Sequence, residues 1–212
     1  MDIVLDKKIA AKTLEGFVDE LKQKPAFDAK DFNHEKTLVI VVDMIVGFCL
    51  EGALASERNK VVIVPIKKLL DALPKSQKVF VRDCHSKDAG EFQFFPPHCC
   101  NEKESALVPE LQKYDGIDLP KNSTNGFFEL AKKVPDLAKF DNIVVVGVCT
   151  DICVLQLALS LRAYLNESDA KTTVSTIISC IETYDASWHN AELNNLMAVK
   201  LMEQAGVVIY TS

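Results

Sequence analysis

The sequence predicts a doubly wound α/β fold, a mostly parallel sheet with helices on both faces. Two observations carry that expectation. Strand-like and helix-like segments alternate along nearly the whole chain. The strand-like segments are short, β-branched and apolar at almost every position, as strands covered on both faces are. Buried strands joined by helices need crossover connections, which make neighbouring strands parallel.

Taken in order, residues 7–23 place Ala10, Leu14, Phe17, Val18 and Leu21 at helical spacing, and Pro25 follows as a stop. Residues 25–36 are polar and read as a connecting arm. The expected division is therefore an N-terminal helix and arm over 1–36 and an α/β unit over 37–212. Leu38 to Val42 is the first strand, ending at Asp43. Val61 to Leu73 has helical periodicity, and Val79 to Val81 is a second strand running into Arg82 and Asp83. A loop-rich middle follows. Asn142 to Gly147 is the third strand, with a helix from about Asp151 to Tyr164. Thr172 to Ile178 reads as a strand, Ser187 to Gln204 as a long helix, and Val207 to Tyr210 as a last strand.

The 212 residues suffice for one well-buried core, and 48% hydrophobic with 25% charged residues is an ordinary globular balance. A net charge of −6 argues against nucleic acid or an anionic membrane as partner. The opening residues Met1 to Asp6 lack a basic segment before an apolar core, and no apolar run reaches membrane-spanning length. Seven cysteines, an odd number, then read as reduced thiols, and the expected compartment is the cytoplasm.

Ligands of open α/β sheets sit beyond the carboxyl ends of the strands, and there the reactive residue types collect. Cys153 falls in the first turn of the helix expected after the third strand. Free backbone N–H groups at that position lower a thiol pKa and can hold an oxyanion. Asp43 is of the right type to take its proton, and Lys121, a loop residue after Leu119-Pro120, to hold the carboxylate. Taken alone, Cys153 reads more readily as a small buried apolar residue. Asp83 and His85 project to one side of an extended chain. With Glu91 and His98 they form a mixed N/O set suited to Zn²⁺, Fe²⁺ or Mn²⁺; a polar loop held by side-chain hydrogen bonds would use the same residue types. His34 is expected to be exposed in the arm, and His189 to be a surface or helix-packing residue. Cys49, Cys99 and Cys180 read as core or pocket-wall residues, Cys84 as turned away from its neighbours, and Cys100 as structural.

Four segments, VVDMIVGF (41–48), VRDCHSKDAGEFQFFPPHC (81–99), LPKNSTNGF (119–127) and GVCTDICV (147–154), together resemble the nicotinamidase group of the isochorismatase-like cysteine hydrolases. The order matches, from about Leu38 to the end of the chain. The resemblance implies a catalytic triad of Asp43, Lys121 and Cys153. It implies metal ligands Asp83, His85, Glu91 and His98, where several relatives have histidine in place of Glu91. It implies one divalent transition metal, Zn first and Fe or Mn as alternatives, holding a pyridine nitrogen. Cys149 matches the residue whose backbone N–H, with that of Cys153, forms the oxyanion hole, preceded by a cis Val148–Cys149 bond. Phe48 and Phe95 match aromatic positions flanking the substrate ring, the second often tryptophan in nicotinamidases. The implied activity is hydrolysis of nicotinamide to nicotinate and ammonia through a Cys153 thioester, a step of NAD salvage. The implied partner is a small-molecule amide, and relatives often form homo-oligomers. The alternatives are a related hydrolase of another small amide or carbamoyl compound, and a hydrolase-like binding domain.

Overall fold

The computed structural model describes residues 6–212. The reading of the chain's first residues as lacking an export signal concerns residues 1–5 above all, which lie outside the described ones. The elements in chain order are α1 (Lys7–Lys22), β1 (Thr37–Val42), α2 (Val46–Cys49), α3 (Glu57–Lys60), α4 (Ile63–Ala72), β2 (Gln77–Asp83) and α5 (Glu102–Ser105), then β3 (Ile117–Lys121), α6 (Phe127–Lys133), β4 (Asn142–Val148), α7 (Leu155–Glu167), β5 (Thr173–Ile177), β6 (Ile181–Glu182), α8 (Ala191–Gln204) and β7 (Val208–Tyr210). Among them, no helix is long and apolar enough to cross a membrane.

The strands form one sheet in the order β3-β2-β1-β4-β5-β7, with β6 also paired to β4, and every pairing is parallel. Side chains alternate across the sheet and fill two separate cores. Leu38, Ile40 and Val42 pack with Leu157 and Leu161 of α7, Met202 of α8 and Leu130 of α6. Val39 and Val41 face the other way, against Ile66, Leu69 and Leu70 of α4. The doubly wound α/β expectation therefore holds, and its physical basis is visible in β1, where all six residues are buried.

The strand order reverses between β1 and β4, so the crevice at their carboxyl ends is the site this topology offers to a ligand. Two backbone features shape it. Asp43 turns out of β1 in the left-handed region, at φ 53°, which aspartate tolerates better than most residues. Gly147 has φ 122°, and a Cβ there would lie 2.0 Å from Val42 O, so only glycine lets β4 run this close to β1.

The loop expected before β4 instead holds β3 and α6. Pro120 and Asp118 hide β3 in the sequence, but it is an edge strand, where a missing N–H costs no ladder bond. Lys121 is thus the last residue of a strand and not a loop residue. The helix expected from Asp151 opens with a π-type turn over Thr150–Val154 before α7 begins. The helix expected from Ser187 begins at Ala191, capped by the Asn190 side chain on Leu193 N. The arm is fastened by a Phe27, Phe32 and Tyr210 ring cluster and by Thr211 N donating to Pro25 O. His34, expected to be exposed, is half-buried, with Nε2 3.2 Å from Ala29 O.

Candidate active site

Four neighbouring strand ends deliver the polar residues. Asp43 follows β1, Asp83 ends β2, Lys121 ends β3, and the turn from Cys149 to Cys153 follows β4. Asp83 and Lys121 are direct partners across β2 and β3. The register that buries the apolar residues of these strands therefore also sets the lysine beside the aspartate. Asp43 is held in place by its N–H on Val81 O (2.8 Å) and by its Oδ1, which accepts from Asp83 N (2.8 Å).

Asp43, Lys121 and Cys153 meet in the interior. Lys121 Nζ lies 2.9 Å from Asp43 Oδ2 and 3.8 Å from Cys153 Sγ, and also donates to Asp83 Oδ1. The contact with Asp43 has ion-pair distance without hydrogen-bond alignment, so Oδ2 keeps its acceptor capacity. Reactive atoms of Asp43, Asp83 and Cys153 lie within 4.8 Å of one another. Burial, and next the Asp83 charge, push the Asp43 carboxyl up to about 6, against the pull of Lys121. Burial would lower the Lys121 pKa, but Asp43, Cys153 and Asp83 outweigh it and keep the ammonium charged. The Cys153 thiol is raised well above its ordinary value, because burial outweighs the nearby lysine. At rest it is a thiol beside a carboxylate poised to accept a proton near neutrality, which suits a general base.

Asp83 joins this trio to a second cluster. Its Oδ1 serves Lys121, while its Oδ2 lies 3.5 Å from both His85 Nε2 and His98 Nε2. Burial would raise its pKa, but Lys121 and the two histidines hold it far below the usual carboxylate range. Glu91 Oε2 is 3.8 Å from His85 Nε2. Both imidazoles are fixed from behind, His85 Nδ1 by Asn122 Oδ1 at 3.1 Å and His98 Nδ1 by Pro96 O at 2.8 Å. Each therefore aims Nε2 at the cluster. Asp83, His85 and His98 form a buried group able to hold an ion. His85 Nε2 and Glu91 Oε2 are buried without a hydrogen-bond partner. Unpartnered ligand atoms of this kind, in an N/O set, fit a divalent transition metal. Asn122 carries no signal in the sequence reading beyond its place after Lys121. Partners behind a ligating histidine set its orientation, so Asn122→Ala is expected to weaken metal binding about 10–100-fold. A chelator-competition titration measures this, and unchanged affinity would contradict it.

A cavity of about 290 Å³ opens over both clusters. Phe48 and Phe95, the two predicted aromatics, line it, with rings 5.6 and 6.3 Å from His98. Tyr184 and Trp188 supply a further aromatic wall that the sequence reading missed. His189 is buried, with Nε2 2.7 Å from Asp151 Oδ2, and is not a surface residue. Cys84 is exposed, as expected, and Cys49, Cys99 and Cys180 are buried. The Val148–Cys149 peptide bond is cis, and Cys149 O accepts from both Ile152 N and Val154 N at 3.1 Å.

The isochorismatase-domain family model matches residues 37–211. Nicotinamidase 1 of Arabidopsis thaliana is 29% identical over 210 residues, covering 84% of this chain and 84% of its own. Among solved structures, the PnC1 protein of L. infantum in complex with nicotinate aligns at a TM-score of 0.70 and 20% identity, over 85% of this chain and 94% of its own. The pyrazinamidase of Pyrococcus horikoshii in complex with zinc aligns at 0.68 and 20% identity, over 84% of this chain and 99% of its own. At these identities the solved structures speak for the fold.

Proposed function

Because this chain belongs to the isochorismatase family, we propose that it is a metal-assisted cysteine amidohydrolase that converts nicotinamide to nicotinate and ammonia, as a step of NAD salvage. The observation that carries the reading is the convergence of Asp43, Lys121 and Cys153 beside an unsatisfied His/carboxylate cluster under an aromatic-walled cavity. A nicotinamidase relative aligned over most of both chains adds to it.

In this reading Asp43 takes the Cys153 proton, and the lysine ammonium 3.8 Å away balances the new thiolate. The sulfur attacks the carboxamide carbon. Backbone N–H groups of Cys149 and Cys153 receive the oxyanion, each worth about 10²–10³ in rate. As the C–N bond breaks, protonated Asp43 gives its proton to the departing nitrogen, which leaves as ammonia. Asp43, again a carboxylate, then accepts a proton from an attacking water, the C–S bond breaks to release the acid, and Asp43 returns that proton to the departing sulfur to restore the thiol. Phe48 and Phe95 offer apolar faces to the ring, and Asp83, His85, Glu91 and His98 are the residues that would hold the metal. When bound, the metal supplies a Lewis acid for a ring nitrogen. Asp83 holds the base's lysine with one oxygen and faces the metal site with the other, so ring placement and nucleophile placement share one residue.

An ammonia-release screen over nicotinamide, pyrazinamide, aliphatic amides and carbamoyl compounds tests the assignment. Turnover of the two ring carboxamides is expected, and turnover confined to the aliphatic or carbamoyl compounds would overturn it.

A further inference from the structure

The segment after β6 forms a wall of the cavity, and few backbone bonds hold it there. Between Glu182 and α8 the chain makes a tight reverse turn, with Ala186 and His189 exchanging both backbone hydrogen bonds (2.9 and 3.0 Å) and Ser187 and Trp188 at the tip. Trp188 is 78% exposed yet lines the cavity, as does Tyr184. Left to its backbone, such a loop tip would be mobile.

Its side chains tie it to one residue. Both carboxylate oxygens of Asp151 are committed to this segment, Oδ1 to Thr183 Oγ1 at 2.6 Å and Oδ2 to His189 Nε2 at 2.7 Å. The other ring nitrogen of His189 bonds Tyr184 O at 3.0 Å, closing the loop on itself. The imidazole is stacked flat on the Tyr184 ring, with centroids 4.0 Å apart and planes at 8°, and Trp188 packs edge-on against both rings. His189 is 8% exposed although it sits one residue from Trp188. Asp151 itself lies in the π-type turn, two residues before Cys153.

We propose that Asp151 and His189 are positioning residues, a clasp that fixes the Tyr184–Trp188 wall of the cavity to the turn carrying the nucleophile and so sets the site's preference for aromatic ring amides. This rests on the amidohydrolase reading for its substrate and on the geometry alone for the clasp. A side chain that bonds the nucleophile's turn on one edge and stacks under the ring wall on its face fixes the distance between ring and sulfur. Thr183 gives Asp151 a second anchor, so the carboxylate cannot rotate away from the loop.

The test compares the wild-type chain with His189→Ala and Asp151→Ala in two readouts. In steady-state ammonia release from nicotinamide, KM is expected to rise about tenfold, the scale of one charge-assisted hydrogen bond, with kcat held within about threefold. A fall in kcat at unchanged KM is what a lower folded fraction gives, and it would overturn the proposal. The second readout needs no substrate. Trp188 is the only tryptophan in the chain, so the fluorescence anisotropy of the whole protein reports on the loop tip. It is expected to fall in both variants, and unchanged anisotropy in both would overturn the clasp. If His189→Ala does not fold, His189→Phe, which keeps a ring against Tyr184 but has no nitrogen for Asp151, carries both measurements. A wild-type chain that ignores nicotinamide, with the anisotropy loss still seen in the variants, would sink the substrate reading and leave the clasp standing.

Discussion

Cys153→Ala is expected to lower ammonia release from nicotinamide by about 10⁴-fold or more, the scale on which covalent catalysis fails when its nucleophile is removed. The fold should survive, because the change removes a single sulfur atom from the interior at a cost of about 1–2 kcal/mol. A thermal melt beside the ammonia assay separates the two effects. The neighbouring thiol supplies the control. Cys149 is only two residues from Asp151, but it is Cys153 that lies 3.8 Å from Lys121 Nζ and within reach of Asp43. If Cys149 contributes only its backbone N–H, then Cys149→Ala should keep activity within roughly tenfold, since its main-chain donor is unchanged. Equal losses from both substitutions would contradict the assignment of the nucleophile.

Lys121→Met is expected to damage activity and stability together. Lys121 is the cation between Asp43, Asp83 and Cys153, and all four are buried. Without it, two carboxylates face each other in the interior with no counter-charge. Breaking a buried ion pair from one side costs about 3–5 kcal/mol, which for a chain of this size lowers Tm by roughly 6–20 °C. One of the carboxylates would then hold a proton, and with Asp43 already pushed up to about 6 the base itself is the group expected to be lost. Ammonia release should fall by about 10³-fold or more. A Lys121→Met chain with unchanged Tm and activity would mean that the lysine neither holds the carboxylates together nor supports the thiolate.

The features that the sequence discloses are those with a local chemical signature. Val39, Ile40 and Val41 announce a buried strand because no exposed strand is apolar at every position, and Asp43 and Asp83 are conspicuous as the charges that end such runs. Lys121 is recognisable as a candidate, but its strand is not. Pro120 and Asp118 argue against a strand until β3 is seen to be an edge, and edge position is a tertiary property. The π-type turn at Thr150–Val154 and the positive φ of Asp43 likewise depend on how β1 and β4 end beside each other. Asn122 and His189 are missed for a related reason. Each bonds a partner distant in the chain, Asn122 with His85 and His189 with Asp151. No spacing rule brings such pairs together, because the strand order makes them neighbours.

A nucleophilic Cys153 carries the acyl group of an aromatic carboxamide during turnover. The direct measurement is intact-mass and peptide mass spectrometry of the wild-type enzyme, acid-quenched during steady-state hydrolysis of nicotinamide. One pyridine-carbonyl group per chain is expected, on the peptide that carries Cys153 and labile to hydroxylamine as a thioester is. Turnover with no adduct at any time point, or an adduct carried by Cys149, would contradict it.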